Sequence, residues 1–298
     1  MKTLIFPDVH TRVEVVDELL PQIKAEIGYD KVVYLSDVFD QFYDTPAIAR
    51  KVAVWYKEKL EDPTNVFVES NHDVMYKYSK NARIRCSGWD YYKSAAINDV
   101  MTEEDWSKIV LYHVDQNIMF SHAGVSNGFL DYIVNLGKSD SFEYTLQNVC
   151  DKLDKWNEEA VGFLKMNHSH FLYEADYTRG GNSEWAGPVW CDASRFVPTP
   201  HFTQIFGHSP HKHPEFKFNS KHGPIGVSLQ SNALWHDADN KFASNFGLCL
   251  DTHLRNFAIL DNGTLSVYEI SKEVIGMSVT SKIGKKVFER NLNPHKYP

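Results

Sequence analysis

Five short polar clusters hold the side chains that could do chemistry. "TLIFPDVH" places Asp8 and His10 just beyond an apolar run, and "KVVYLSDVFD" places Asp37 and Asp40 beyond a second. "NVFVESNHDVMY" ends a third run in Asn71, His72 and Asp73, while "NIMFSHAG" supplies His122 and "FTQIFGHSP" supplies His208. A strand commonly hands over to Gly, Asn or Asp for turn chemistry, so each cluster alone reads as a loop or a cap. All five together, in order from Asp8 to His208, read differently. Among these side chains, a set of three His, two Asp and one Asn without Cys suits hard or borderline cations such as Mn, Fe, Zn or Ni rather than a thiolate site. That is more ligands than one tetrahedral ion takes. A shared carboxylate could hold two cations about 3.5–4 Å apart, which clamps the attacking and leaving oxygens of phosphoryl transfer.

The elements that must position these residues are legible in the apolar pattern. "TLIFPD", "KVVYLSD" and "NVFVES" read as strands. Between them lie an amphipathic helix broken or restarted at Pro21 and a second helix with Thr45 as N-cap and Pro46 at its first position. Strand and helix alternation of this kind is a βαβαβ unit with a largely parallel, buried sheet. In an open parallel sheet the C-terminal strand ends share one edge, where ligands bind. Further on, "KIVLYHV" and "NIMFSHAG" read as strands joined by a turn near Asp115 and Gln116, and residues from Val125 to Asn167 read as mostly helical. Strand patterns then dominate, with "DNG" at 261–263 as a hairpin turn. No repeat or composition break marks a second domain, so the expectation is one domain over 1–284 and a polar tail over 285–298.

Composition narrows the function. Of 298 residues, 43% are hydrophobic and 23% charged, ordinary for a soluble globular protein with a sizeable core. A formal net charge of -8 argues against a general nucleic-acid or membrane-surface binder and leaves room for a local basic pocket. Cys86, Cys150, Cys191 and Cys249 show no C-x-x-C spacing, which fits a reducing compartment rather than a disulfide framework. The apolar run near the N-terminus is far too short for a signal h-region, so none is expected, and no run reaches the roughly 18 apolar residues of a membrane span. A cytoplasmic protein is expected.

"DVH", "SDVFD", "SNHD", "SHAG" and "GHSP" together resemble the signature of the calcineurin-like metallophosphoesterases. "GPVWCDA" is similar to the Trp-containing segment of the phosphoprotein phosphatase branch, which includes symmetrical dinucleoside tetraphosphatases. The resemblance implies an α/β fold, a metallophosphoesterase-type β-sandwich flanked by helices and built on βαβαβ with an antiparallel C-terminal half. It implies two divalent ions, Mn foremost and Fe, Zn or Ni as alternatives. Asp8 and His10 would bind the first, Asp37 would bridge both, and Asn71, His122 and His208 would complete the second. A hydroxide on the ions would attack, and His72, oriented by Asp40, would protonate the leaving oxygen.

The sequence departs from that signature at Ser36 and Ser70, where Gly is usual, and after His208, where no second His follows. Gln41 stands where the branch usually places an Arg. Gln cannot neutralise a dianionic phosphate, so weaker discrimination for monoesters is expected. Arg12, Gln41, Arg195 and His253 are the candidate substrate contacts, with Arg179 and Arg255 beside them. Aromatics in "DQFYD", "GWDYY" and "SEWAGPVW" could stack a base or simply pack. The leading expectation is hydrolysis of a phosphomonoester, on a phosphoprotein or nucleotide, or of a nucleotide polyphosphate. The alternatives are a phosphodiesterase or nuclease on the same site, and a non-catalytic scaffold on the same fold.

Overall fold

The computed structural model describes residues 1–41, 43–136, 142–220, 223–229, 245–275 and 278–292. β1 (Lys2–Phe6), β2 (Lys31–Tyr34) and β3 (Asn65–Phe67) are parallel, with Thr3 opposite Lys31 and Val32 opposite Asn65. Parallel neighbours need a crossover, and α1 (Val13–Glu26) and α2 (Pro46–Leu60) supply the two. Both faces of β1 are covered, so Leu4, Ile5 and Phe6 are all fully buried and the strand reads as a continuous apolar run. Thr45 caps α2, its hydroxyl oxygen accepting from the Ile48 N–H at 3.3 Å, and Pro46 follows at the first position. Pro21, expected to break α1, lies inside it. It sits on the exposed face, as does Asp17, the residue whose carbonyl loses its helical partner to proline.

α3 (Asn71–Lys77), α4 (Tyr91–Asn98) and α5 (Glu103–Ser107) follow β3. β4 (Tyr112–Asp115) and β5 (Ile118–Ser121) form the expected hairpin, with Gln116 and Asn117 at φ 49° and 61° in its two-residue turn. The expected strand "KIVLYHV" is shorter at its start, where Lys108 is the C-cap of α5 and Val110 makes an isolated parallel bridge to Val68. α6 (Asn127–Leu136) and α7 (Leu146–Lys165) account for the helical middle, of which 137–141 lie outside the described residues. The rest is β6 (Thr203–Phe206), β7 (Glu215–Ser220), β8 (Gly223–Ser228), β9 (Gly247–Cys249), β10 (Asn256–Asp261), β11 (Thr264–Ile275) and β12 (Ser278–Asn291). Asn262 and Gly263 turn β10 into β11.

Two six-stranded mixed sheets result, ordered β12-β11-β10-β1-β2-β3 and β4-β5-β6-β9-β7-β8. Ile5, Val33, Ala258 and Leu265 of the first pack against Phe120, Ile205 and Leu248 of the second, so the sheets form a sandwich. Val16, Leu19 and Ile23 of α1 and Val52 and Tyr56 of α2 cover the outer face of the first sheet against Leu4, Phe6 and Tyr34. Phe129, Ile133, Val149 and Leu153 of α6 and α7 cover Met119 on the other side. The α/β sandwich flanked by helices is therefore present. The five strand ends, however, come from two sheets rather than one.

Residues 285–291 are not a polar tail. They form the second half of β12, with Val267 opposite Phe288 and Leu265 opposite Arg290. β12 is an edge strand, where lysines and other charges are tolerated and blunt further pairing, so its apolar pattern is weak. Residues 293–298 and Phe42 of "DQFYD" lie outside the described residues. All four cysteines are free. Among the described residues no helix is long and apolar enough to cross a membrane.

Candidate metal centre

Each of the five clusters begins where its strand stops. After β1 the chain reaches Asp8 and His10; after β2, Asp37 and Asp40; after β5 and β6, His122 and His208. The third cluster differs from the expectation. Asn71 and His72 lie in the first turn of α3, whose N-cap Ser70 accepts from the Asp73 N–H at 3.1 Å. Serine is a far better cap than it is a hinge, which accounts for its presence where the resembling family uses glycine. Asp73 turns away from the cluster and ties α3 to the second loop, accepting from the Val38 and Phe39 N–H groups at 3.1 and 3.3 Å. Burial, with Asp37 nearby, pushes the Asp73 carboxyl up to about 7.

The loops are backbone-strained. His10, Thr11, Ser36, Asp37, Asp40, His208, His253 and Leu254 all have positive φ, between 41° and 74°. Such conformations cost roughly 1–2 kcal/mol for a residue with a Cβ and concentrate at functional sites. Ser36, at φ 74°, is one of the two departures from glycine. Ser36→Gly should therefore stabilise the fold by about 0.5–1 kcal/mol, the strain relieved less the extra entropy of an unfolded glycine. Equilibrium denaturation measures this, and a destabilised variant would show that the Ser36 side chain holds the loop.

The six expected ligands converge. Ligand atoms of Asp8, His10 and Asp37 lie within 4.8 Å of one another, as do those of Asp37, His122 and His208, so Asp37 belongs to both groups. Its Oδ2 is 3.7 Å from His10 Nε2 and its Oδ1 3.4 Å from His122 Nε2. His122 Nε2 also lies 2.9 Å from Asn71 Oδ1 and 3.1 Å from His208 Nδ1. His122 Nδ1 is 2.7 Å from the Leu35 carbonyl, and His10 Nδ1 is 2.8 Å from the Asp40 carbonyl. Those carbonyls can only accept, so each Nδ1 carries the proton and each Nε2 turns a lone pair inward. In the neutral ring the His122 Nε2 lone pair faces the oxygens of Asn71 and Asp37, an arrangement that a cation satisfies.

The electrostatics agree with a cation. Burial, with Asp251 and Asp37 alongside, pushes the Asp8 carboxyl well above its ordinary range. A positive ion among these carboxylates reverses that pressure. Burial opposes ionisation of Asp37 too, yet the imidazoles of His122, His72 and His10 hold it well below the usual carboxylate range. Burial and then His122 push His208 well below its ordinary value, leaving it neutral and able to ligate. Asp8 is fixed by the His208 N–H, which donates to Oδ2 at 2.9 Å and Oδ1 at 3.2 Å. Gly207 permits that approach, since a Cβ there would stand 2.0 Å from Asp8 Oδ1. The donor set and its burial suit hard or borderline divalent cations, which Asp8, His10 and Asp37, and Asp37, His122 and His208 with Asn71 beside them, could hold.

Beside this cluster lies a dyad. His72 Nδ1 is 3.1 Å from Asp40 Oδ2, and the His72 side chain keeps 16% of its surface open. Burial would lower the His72 pKa, but Asp37 and the bond to Asp40 raise it well above its ordinary value. Asp40 also holds Tyr76 and Lys93. Burial works against its ionisation, while His72, Lys93 and Tyr76 together keep its pKa lowered.

The candidate substrate contacts divide. Arg12 lies at the site, its Nε donating to the Val9 carbonyl at 3.2 Å and its guanidinium to the His253 carbonyl. Burial lowers the Arg12 pKa, against the pull of Asp251 and Asp8. His253 is exposed beside Asp251, to whose Oδ1 its N–H donates at 3.0 Å. Gln41 is exposed at the rim, its Oε1 accepting from the Thr11 hydroxyl at 3.2 Å. Arg195 is instead committed to Asp176 at 3.4 Å, to the Glu184 carbonyl at 3.3 Å and to the Tyr177 ring. Arg179 is nearer the cluster, bonded to Ser209 next to His208 at 3.2 Å and paired with Asp192 at 2.7 Å.

Sequence reasoning missed Asp251, Lys93 and Tyr76. Asp251 was findable by the same rule as the others, a carboxylate just beyond the apolar strand in "GLCLDT". Lys93 stands four residues before the buried Ile97 on α4, a lysine on the packed face of a helix.

No protein-family model matches the chain, and no curated protein matches it. One solved structure, described as "Crystal structure of a putative diadenosine tetraphosphatase", aligns with 95% of this chain and 94% of its own at 16% identity and a TM-score of 0.39. Likeness at that level does not carry an activity across.

Proposed function

We propose that the chain is a two-metal phosphohydrolase acting on phosphate esters or nucleotide phosphoanhydrides. The observation that supports this best is Asp37, shared between the two ligand groups and set beside the His72–Asp40 dyad. When bound, two divalent cations, Mn foremost, supply Lewis acidity and lower the pKa of coordinated water, giving a nucleophile near neutral pH. The chain's own residues do the rest. His72, held through Nδ1 by Asp40, gives its Nε2 proton to the leaving oxygen as the P–O bond breaks. Arg12 and Arg179 flank the ligands and would hold the phosphoryl oxygens. Asp40 orients His72 and stabilises its charged form.

The substrate would be a phosphomonoester on a small molecule or phosphoprotein, or a nucleotide polyphosphate. Gln41 also favours some activity on diesters, because its uncharged amide stands at the rim, bonded to Thr11. A panel of aryl monoesters and diesters, dinucleoside polyphosphates and phosphopeptides, assayed with and without Mn, tests the reading. Chelation should abolish turnover and Mn should restore it. Full activity in metal-stripped protein would contradict two-metal chemistry, and no turnover on any substrate would favour a scaffold.

A further inference from the structure

Asp40 has more partners than a dyad needs. Its Oδ2 faces His72 Nδ1 at 3.1 Å, while its Oδ1 accepts from the Tyr76 hydroxyl at 2.7 Å and from the Lys93 ammonium. Lys93 is buried, with only 7% of its side chain exposed. Its helix is set by Asp90, whose Oδ1 accepts from the Tyr92 and Lys93 N–H groups at 2.8 and 2.9 Å. The carboxylate is also walled in by Gly88, where a Cβ would stand 2.9 Å from Asp40 Cγ. One oxygen is thus pinned by two donors, and the other has a single direction left.

We propose that Lys93, seconded by Tyr76, is a positioning residue that fixes the Asp40 carboxylate and, through it, the His72 imidazole. This rests on the reading of His72 as general acid. A buried ion pair is a poor way to gain stability, since replacing the whole pair by well-packed apolar side chains is often neutral or better. A lysine needed only to fill space on α4 could as well be methionine. What methionine lacks is a donor on Asp40 Oδ1. With only Tyr76 there, the carboxylate can turn and the His72 Nε2 proton leaves its line to the leaving oxygen.

Lys93→Met keeps the stem and removes the ammonium, so it separates the two roles. In Mn-loaded protein it should lower kcat on phenyl phosphate by about 10–100-fold, part of what general acid catalysis supplies. The loss on p-nitrophenyl phosphate should be clearly smaller, with KM and metal content unchanged. Added to Asp40→Asn, the same substitution should cost nothing further, because the residue acts through Asp40. An equal loss on both leaving groups, or an additive loss in the double variant, overturns the proposal. Should Lys93→Met fail to fold, Tyr76→Phe removes the other Oδ1 donor and must show the same leaving-group signature. If His72→Ala itself shows no leaving-group dependence, the acid reading and this proposal fall together. If His72→Ala shows it and Lys93→Met is silent, only the proposal falls.

Discussion

His72→Ala should leave metal content intact and lower turnover by about 10²–10⁴-fold, the span general acid catalysis contributes. The reason is where His72 stands: its Nδ1 is engaged by Asp40, and its backbone N–H donates to Asp37 Oδ1 at 3.3 Å, so the ring borders the ligand cluster without belonging to either metal-ligand group. Losing the imidazole removes a proton and no ligand. The deficit should shrink for nitrophenolate, which departs unprotonated, and persist for alkoxide or phenolate. Rates on a leaving-group series measure this. A uniform deficit across the series would mean that His72 has another task.

Asp37→Asn should weaken metal binding by at least about 10–100-fold, more than the usual cost of disturbing an outer-shell partner, and turnover should fall with it. Both Asp37 oxygens face imidazole ligands, and a neutral amide offers one good oxygen and one nitrogen that cannot ligate. The fold should survive. Asp37 has φ 41°, and Asn is among the few residues that adopt that region readily. Elemental analysis alongside circular dichroism separates the two effects, and two tightly held ions in the folded variant would show that Asp37 is not shared.

Much of the fold was legible because its signals are local. Parallel strands buried on both faces read as unbroken apolar runs, and Thr45-Pro46 and Asp261-Asn262-Gly263 are turn chemistry that depends on a few neighbours. β12 was hidden because an edge strand needs little apolar surface, and Pro21 misled because a solvent-facing proline can be accommodated inside a helix. At the site, the carboxylates and imidazoles announced themselves by standing just past their strands. The start of α3 at Asn71 was not visible, since "NHD" after a strand reads as a loop until Ser70 is seen to cap it. Lys93 was least legible of all: burial of a charge depends on a partner fifty-three residues away in sequence, which no periodicity encodes.

In the proposed function one carboxylate, Asp37, joins two ions. Electron paramagnetic resonance of the Mn-titrated protein tests it most directly, because two Mn ions sharing a carboxylate are magnetically coupled and isolated ions are not. Two ions should bind per chain and give a coupled multiline signal in the wild type, lost in Asp37→Asn. A single ion per chain, or two ions giving only the uncoupled six-line spectrum, would contradict it.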